Sequence, residues 1–293
     1  MNESTVEALR AAGLDPAEVE RVVRTALDED LGPSHLDVTS AATIPDGQVD
    51  TADVVARAGG VVAGLAVAAA VFEAVDARTS WESRTSDGER VARGAVLATV
   101  TGPTRSLLTA ERTALNLLCR MSGVATHTRA WADELAGSKA TVLDTRKTTP
   151  GLRALEKYAV RAGGGTNKRM GLYDVAMIKD NHKLAAGGLT AAYRRVRQLF
   201  PGVPVQVEVT DVAEAVESVE AGADFLLCDN MTPELLREVV AAVGDRAELE
   251  ATGGLTLEVA AQYAATGVDY LSVGALTHSS PILDIALDLR PKR

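Results

Sequence analysis

Apolar residues recur at helical spacing near the start of the chain. In PAEVERVVRTALDEDL (16–31), Val19, Val22, Val23, Ala26 and Leu27 fall on one face, which predicts an amphipathic helix. TADVVARAGGVVAG (51–64) reads as strand, glycine turn and strand. DGERVARGAVLATVTGP (87–103) alternates and carries Asp-Gly and Arg-Gly turns, predicting a hairpin or a pair of strands. Residues 104–136 form a long helical stretch with a predicted break near Ser122-Gly123, where a second domain would begin.

From residue 140 the rhythm changes. Six strand-like apolar runs follow one another: TVLDTRK (141–147), DVAMIKDN (174–181), VPVQVEVT (203–210), DFLLCDN (224–230), AELEATGG (247–254) and DYLSVGA (269–275). Helical patterns separate most of them, as in LTAAYRRVRQLF, DVAEAVESVEAG, PELLREVVAAVG and LEVAAQYAATG. Repeated units of this length imply parallel strands joined by right-handed crossovers. The expected architecture is an α/β barrel with fewer than the usual eight strands.

Composition narrows the function. The 293 residues are 46% hydrophobic, enough for one large or two modest cores. A net charge of −10 argues against a general nucleic-acid or anionic-membrane surface. Cys119 and Cys228 sit in apolar contexts without metal-spaced neighbours, so both are expected to be buried thiols of a reducing cytoplasm. The N-terminal MNESTVEALRAAGLD lacks the basic start and apolar run of a signal peptide. VVAGLAVAAAVFEAV (61–75) comes nearest to a membrane span but is too short.

The predicted strands end in reactive residues. In order, they reach Asp144-Thr145-Arg146-Lys147, then Lys179-Asp180-Asn181-His182, Glu208, Asp229-Asn230, Thr252-Gly253-Gly254, and finally Gly274 followed by His278. The carboxyl ends of parallel barrel strands share one face, so residues more than a hundred positions apart are expected to meet there. Between Asp144 and Lys183, nine Lys or Arg face four acids, a local +5. Arg146, Lys147, Lys168, Arg169 and Lys179 lie at strand ends or beside the glycines of GGGTNKR (163–169). Clustered cations repel unless an anion joins them. Arg forks onto carboxylate or phosphate and Lys adds a point charge, so the expected guest is a small polyanion. Glu208 and Asp229 suit a hard metal, Mg²⁺, shared with phosphate oxygens. Glycines at 253, 254 and 274 let a phosphate approach the backbone. GxxxxGK[ST] is absent, which excludes a P-loop, and GGGTNKR is not a dinucleotide fingerprint. His35 and His127 have no metal-spaced partners.

Taken together, these motifs resemble the quinolinate phosphoribosyltransferase family almost end to end. The likeness is carried by ALDEDLG…DVTS (26–40), GVVAGLAVA (60–68), LLTAERTALNLLCRMSGVAT (107–126), residues 144–182, Glu208, the Cys228-Asp229-Asn230 strand and GVDYLSVGALTHS (267–279). The resemblance implies an N-terminal α/β sandwich (1–122), an incomplete, six- to seven-stranded α/β barrel (123–280) and a C-terminal segment (281–293) returning to the first domain. It implies that quinolinate and phosphoribosyl pyrophosphate (PRPP) become nicotinate mononucleotide, pyrophosphate and CO₂, with Mg²⁺ and no organic cofactor, in NAD synthesis. A homodimer is implied, with Arg112 reaching the partner's active site.

By the same resemblance Arg112, Arg146, Lys168, Arg169 and Lys179 hold the substrate carboxylates. Glu208 and Asp229 contact the ribose and Mg²⁺. Lys147 and His182 face the pyrophosphate, and Thr252, Gly253, Gly254, Gly274 and His278 form the 5-phosphate pocket. Lys147, Lys179, Glu208 and Asp229 are the catalytic candidates. Two positions depart from the family. Asn167-Lys168-Arg169 stands where Asn-His-Arg is usual, and Thr252 where serine is common. Lysine, with a pKa of about 10.4, keeps its charge at neutral pH where histidine at about 6.5 does not. Lysine also lacks an imidazole's planar donor geometry. A paralogous PRPP-dependent transferase acting on another pyridine or azaheterocyclic carboxylate and a non-catalytic metabolite-binding protein on the same scaffold stay open.

Overall fold

A computed structural model describes residues 1–291. Twelve strands follow along them: β1 (Val49–Ala56), β2 (Gly60–Val61), β3 (Ser80–Ser83), β4 (Arg90–Val91), β5 (Val96–Pro103), β6 (Thr141–Leu143), β7 (Ala176–Ile178), β8 (Val205–Val209), β9 (Phe225–Asp229), β10 (Glu248–Thr252), β11 (Tyr270–Ser272) and β12 (Ile285–Leu289). The chain divides into two compact units. One comprises Met1–Arg129, Thr149–Gly164 and the residues from Ser279 onward; the other comprises Ala130–Thr148 and Gly165–His278.

In the first unit a four-stranded sheet runs β12-β1-β5-β3, with every neighbouring pair antiparallel. The C-terminal strand thus pairs with β1, Ala52 opposite Leu289. In β1, Ala52, Val54 and Ala56 bury one face, as the period of two requires. Residues 87–103 are a pair of strands and not a hairpin, because β4 pairs with β2 while β5 pairs with β1 and β3. The apolar run near residue 61 becomes the helix Leu65–Val75, which packs on the helices Glu3–Ala11 and Pro16–Leu31 and on β3. Pro16–Leu31 buries Val19, Val22, Val23 and Leu27, the face read from the sequence. Among the described residues no helix is long and apolar enough to cross a membrane.

The helix Thr104–Glu134 runs unbroken past Ser122 and Gly123, where the pattern had suggested an interruption. The glycine serves packing instead. A Cβ there would lie 2.1 Å from Pro281 O and 2.8 Å from Ile282 Cα, so the returning C-terminal segment needs its hydrogen. A short helix, Val38–Thr43, begins at Asp37, whose Oδ1 accepts from the Thr39 and Ser40 amides, each at 3.0 Å. Its Oδ2 accepts from Ser40 Oγ at 2.5 Å and Thr109 Oγ1 at 3.2 Å.

The second unit is a six-stranded, all-parallel sheet in the order β6-β11-β10-β9-β8-β7. Its edge strands β6 and β7 do not pair with each other, so the barrel is incomplete. Of the crossover helices Leu189–Leu199, Val212–Glu220 and Pro233–Val243, the last two start at side-chain caps that the sequence supplies. Asp211 accepts from Glu214 N at 2.8 Å, and Thr232, followed by Pro233, accepts from Leu235 N at 3.3 Å. The register sets Glu208 beside Leu227, Asp229 beside Thr252 and Ser272 beside Leu143. Strands of similar length in this register end at one level.

Two outcomes are expected from this unit-by-unit packing. Gly123→Ala should lower stability by roughly 3 kcal/mol, measured by urea unfolding, because backbone would have to move. The Ser40 hydroxyl and then the Ser40 amide hold the Asp37 carboxyl below its ordinary 3.8. A depressed carboxyl stabilises the fold above its unfolded pKa and loses that contribution as pH falls through the folded value. The stability gap between wild type and Asp37→Ala, about 1 kcal/mol near neutrality, should therefore shrink below pH 3.8.

Candidate active site

A cleft of about 800 Å³ opens at the carboxyl ends of the parallel strands. Its walls are built strand by strand. After β6 the chain turns through Thr145, whose Oγ1 accepts from Lys147 N at 3.0 Å, and sends Arg146 and Lys147 into the cleft. Arg146 Nε is buried and has no hydrogen-bond partner among the described residues. A buried donor in that state favours an acceptor arriving from outside the protein.

The segment after the three glycines lies beside β6, with Thr166 N donating to Val142 O at 2.9 Å and bridging Leu143. Asp144 is wholly buried and anchors this segment. Its Oδ2 accepts from Asn167 Nδ2 at 2.7 Å and its Oδ1 from Lys168 N at 2.8 Å. Further on, Asp174 accepts from the Met170 and Gly171 amides at 2.6 and 3.0 Å, folding the loop back. Lys168 and Arg169 both line the cleft. Lys168 Nζ donates to Glu250 Oε1 at 2.5 Å, and the two side chains are only 7% and 0% exposed. Burial pulls both toward neutrality, Lys168 downward and Glu250 upward, and each is held against this by the other's charge.

β7 delivers Lys179, whose Nζ donates to Glu208 Oε2 at 2.6 Å from the end of β7 to the end of β8. Asp229 ends β9, and Asn230 follows with φ 54°. Asn230 N donates to Thr252 O at 2.9 Å, and Asn230 Nδ2 donates to Asp229 Oδ2 at 2.8 Å. Gly253 has φ 98°, and a Cβ there would sit 2.2 Å from Asn230 Oδ1. The turn that offers its backbone to the cleft thus needs glycine twice over. A Cβ on Gly274 would lie 3.0 Å from Lys147 Cδ and 3.2 Å from His278 Nε2, so these three residues share one end of the cleft.

The cations sense one another. Burial, then the charge of Arg146, lowers the Arg169 pKa, with Asp174 opposing. Lys179 and Arg169 both add to the lowering at Lys168. Glu208 and Asp229 bring two hard carboxylates from adjacent strands to the cleft. Such a pair suits Mg²⁺ shared with substrate oxygens better than a cage made by the protein alone. Among the described residues no group of three or more His, Cys, Asp or Glu is placed to hold a metal ion.

Of the residues singled out in the sequence, Arg146, Lys147, Lys168, Arg169, Lys179, Glu208, Asp229, Thr252, Gly253, Gly254, Gly274 and His278 all line this cleft. Two do not. His182 Nδ1 accepts from Lys179 N at 3.0 Å, closing the first turn of the helix Asp180–Ala186. Arg112 is exposed on Thr104–Glu134 in the other unit. Sequence reasoning missed Glu250 and the part played by Asn230. The sequence carried a signal for Glu250, since an acid between Leu249 and Ala251 inside a strand needs a partner once it is buried.

The profile for the quinolinate phosphoribosyl transferase C-terminal domain matches residues 124–288, and that for the N-terminal domain matches residues 37–122. The chain is 50% identical over 272 residues to nicotinate-nucleotide pyrophosphorylase [carboxylating] of Mycobacterium leprae, covering 91% of this chain and 95% of that protein. It is 42% identical over 287 residues to quinolinate phosphoribosyltransferase [decarboxylating] 1b of Nicotiana tabacum, covering 92% and 81%. The solved structure of NadC from Streptococcus pyogenes superposes with a TM-score of 0.90 at 36% identity, covering 95% of this chain and 99% of that one. Both halves of the chain match models of one family: the chain belongs to the quinolinate phosphoribosyltransferase family.

Proposed function

We propose that this protein transfers the phosphoribosyl group of PRPP to quinolinate, giving nicotinate mononucleotide, pyrophosphate and CO₂ in NAD biosynthesis. The observation that carries the reading is the group of cations at one cleft, Arg146, Lys168, Arg169 and Lys179, beside the carboxylates Glu208 and Asp229. A pyridine dicarboxylate brings the two negative charges that such a group lacks. The unsatisfied Arg146 Nε and the electrostatic strain between Arg146 and Arg169 both favour a carboxylate near them.

The residues then divide the work. Arg146, Arg169 and Lys168 hold the carboxylates and present the ring nitrogen. Glu208 and Asp229 hold the ribose so that its anomeric carbon lies in line with that nitrogen, and rigid placement lowers the barrier. Lys147 and His278, beside the backbone of Gly274 and the Thr252-Gly253-Gly254 turn, hold phosphate groups. Lys179 stabilises charge near Glu208 as the bond to pyrophosphate lengthens. Mg²⁺ held by Glu208 and Asp229 would neutralise charge on the pyrophosphate. Once the nitrogen is quaternised, the pyridinium accepts the electron pair left when the C2 carboxylate departs as CO₂. A proton then completes C2. The ring itself is the electron sink, so the chemistry calls for no organic cofactor.

The reading extends to a homodimer in which the partner's copy of the exposed Arg112 completes the carboxylate site. Free, buried Cys119 and Cys228 suit a reducing cytoplasm.

The direct test is to incubate pure protein with PRPP, Mg²⁺ and either quinolinate or nicotinate. Nucleotide and CO₂ are expected from quinolinate alone, and turnover of nicotinate in its place would overturn the reading. Removing divalent metal with a chelator should abolish turnover and added Mg²⁺ should restore it. Arg146→Ala should raise KM for quinolinate ten- to hundredfold, roughly the loss of one charge-assisted contact. KM for PRPP should move far less.

A further inference from the structure

The reaction outlined above leaves one buried acid without a task. Glu250 lies in the middle of β10, wholly buried between Leu249 and Ala251. A charge in that position is costly unless paired. Its partner, Lys168, is the residue at which this chain departs from the Asn-His-Arg pattern. Two buried carboxylates pin that lysine. Asp144 Oδ1 takes its backbone N–H at 2.8 Å, and Glu250 Oε1 takes its Nζ at 2.5 Å.

We propose that Glu250 is a positioning residue for the pyridine-dicarboxylate subsite, fixing the Lys168 ammonium at the cleft wall so that it meets a substrate carboxylate in one geometry. The inference rests on the quinolinate reading and deepens it. Lys168 lines the cleft whereas Glu250 does not, so the acid stands behind the base. Lysine is a flexible point charge with rotatable donors, and without a tether it offers no fixed direction. Lys179 shows the contrast. It is 49% exposed, and its partner Glu208 itself faces the cleft. Electrostatics points the same way. Burial, Lys179 and Arg169 all push Lys168 toward the neutral amine, and Glu250 opposes them. Without Glu250 the cleft would lose both the direction and the charge of this group.

A buried pair that merely stabilised the fold would not separate the two substrates kinetically. Glu250→Gln keeps the shape and removes the charge. It is expected to raise KM for quinolinate at least about tenfold, with kcat within about threefold and KM for PRPP within about twofold. Lys168→Met should raise the same KM. The double variant should lie within about threefold of Lys168→Met alone, because Glu250 acts through Lys168. Glu250→Asp, which keeps the charge on a shorter arm, should recover part of the loss. If Glu250→Gln fails to fold, Glu250→Asp carries the test: a raised quinolinate KM with unchanged PRPP KM supports the proposal, and any other result overturns it. A folded Glu250→Gln with unchanged quinolinate KM, or single effects that multiply in the double variant, would equally overturn it. Wild-type protein inert toward quinolinate would remove the underlying reading, and this inference with it, a result distinct from the others.

Discussion

Like charges gathered in one cleft are the constraint around which the second unit is organised. Arg146, Lys168, Arg169 and Lys179 repel one another, and the fold holds them with acids whose own positions are fixed. Asp144 secures the backbone of the segment carrying Lys168 and Arg169, Glu250 holds the Lys168 tip, and Glu208 meets Lys179. Each acid limits the repulsion without ending it, since Arg146 keeps a buried donor unsatisfied and Arg169 still feels Arg146. A dicarboxylate entering this field replaces repulsion with attraction at several points at once. A ring with only one carboxylate would offset less of that repulsion.

The parallel sheet is what permits the gathering. Six strands in register deliver Arg146, Lys179, Glu208, Asp229, Thr252 and Gly274 to one level, although they span well over a hundred positions. Tight local geometry then sets the acidic and phosphate-facing groups. Asn230 in a left-handed conformation ties Asp229 to the Thr252 carbonyl, and Gly253 leaves room for it. The antiparallel unit shows the same economy of space at Gly123, where a helix passes against the returning C-terminal segment.

Much of this could be read from the sequence because strand and helix periods are local. The runs ending in Arg146-Lys147, Lys179, Glu208, Asp229, Thr252 and Gly274 announce both the strands and the chemistry at their ends. What could not be read was pairing across distance. Glycine at 123 breaks helices by propensity, yet here it records a contact with Pro281 that only the fold creates. β4 and β5 adjoin in sequence but pair with different partners. His182 looked like a ligand by position, yet its Nδ1 is taken up by the Lys179 amide. The partner of Lys168 lies 82 residues away, so the lysine looked free to bind when it is already tethered. Arg112 sits in the other unit, and its role comes from resemblance alone.

The most direct measurement is a crystal structure of the protein with quinolinate bound. The account predicts one diacid in the cleft, its carboxylates on Arg146, Arg169 and Lys168, with the Lys168–Glu250 contact kept. A diacid bound elsewhere, or seated in the cleft with its carboxylates turned away from these cations, would contradict it.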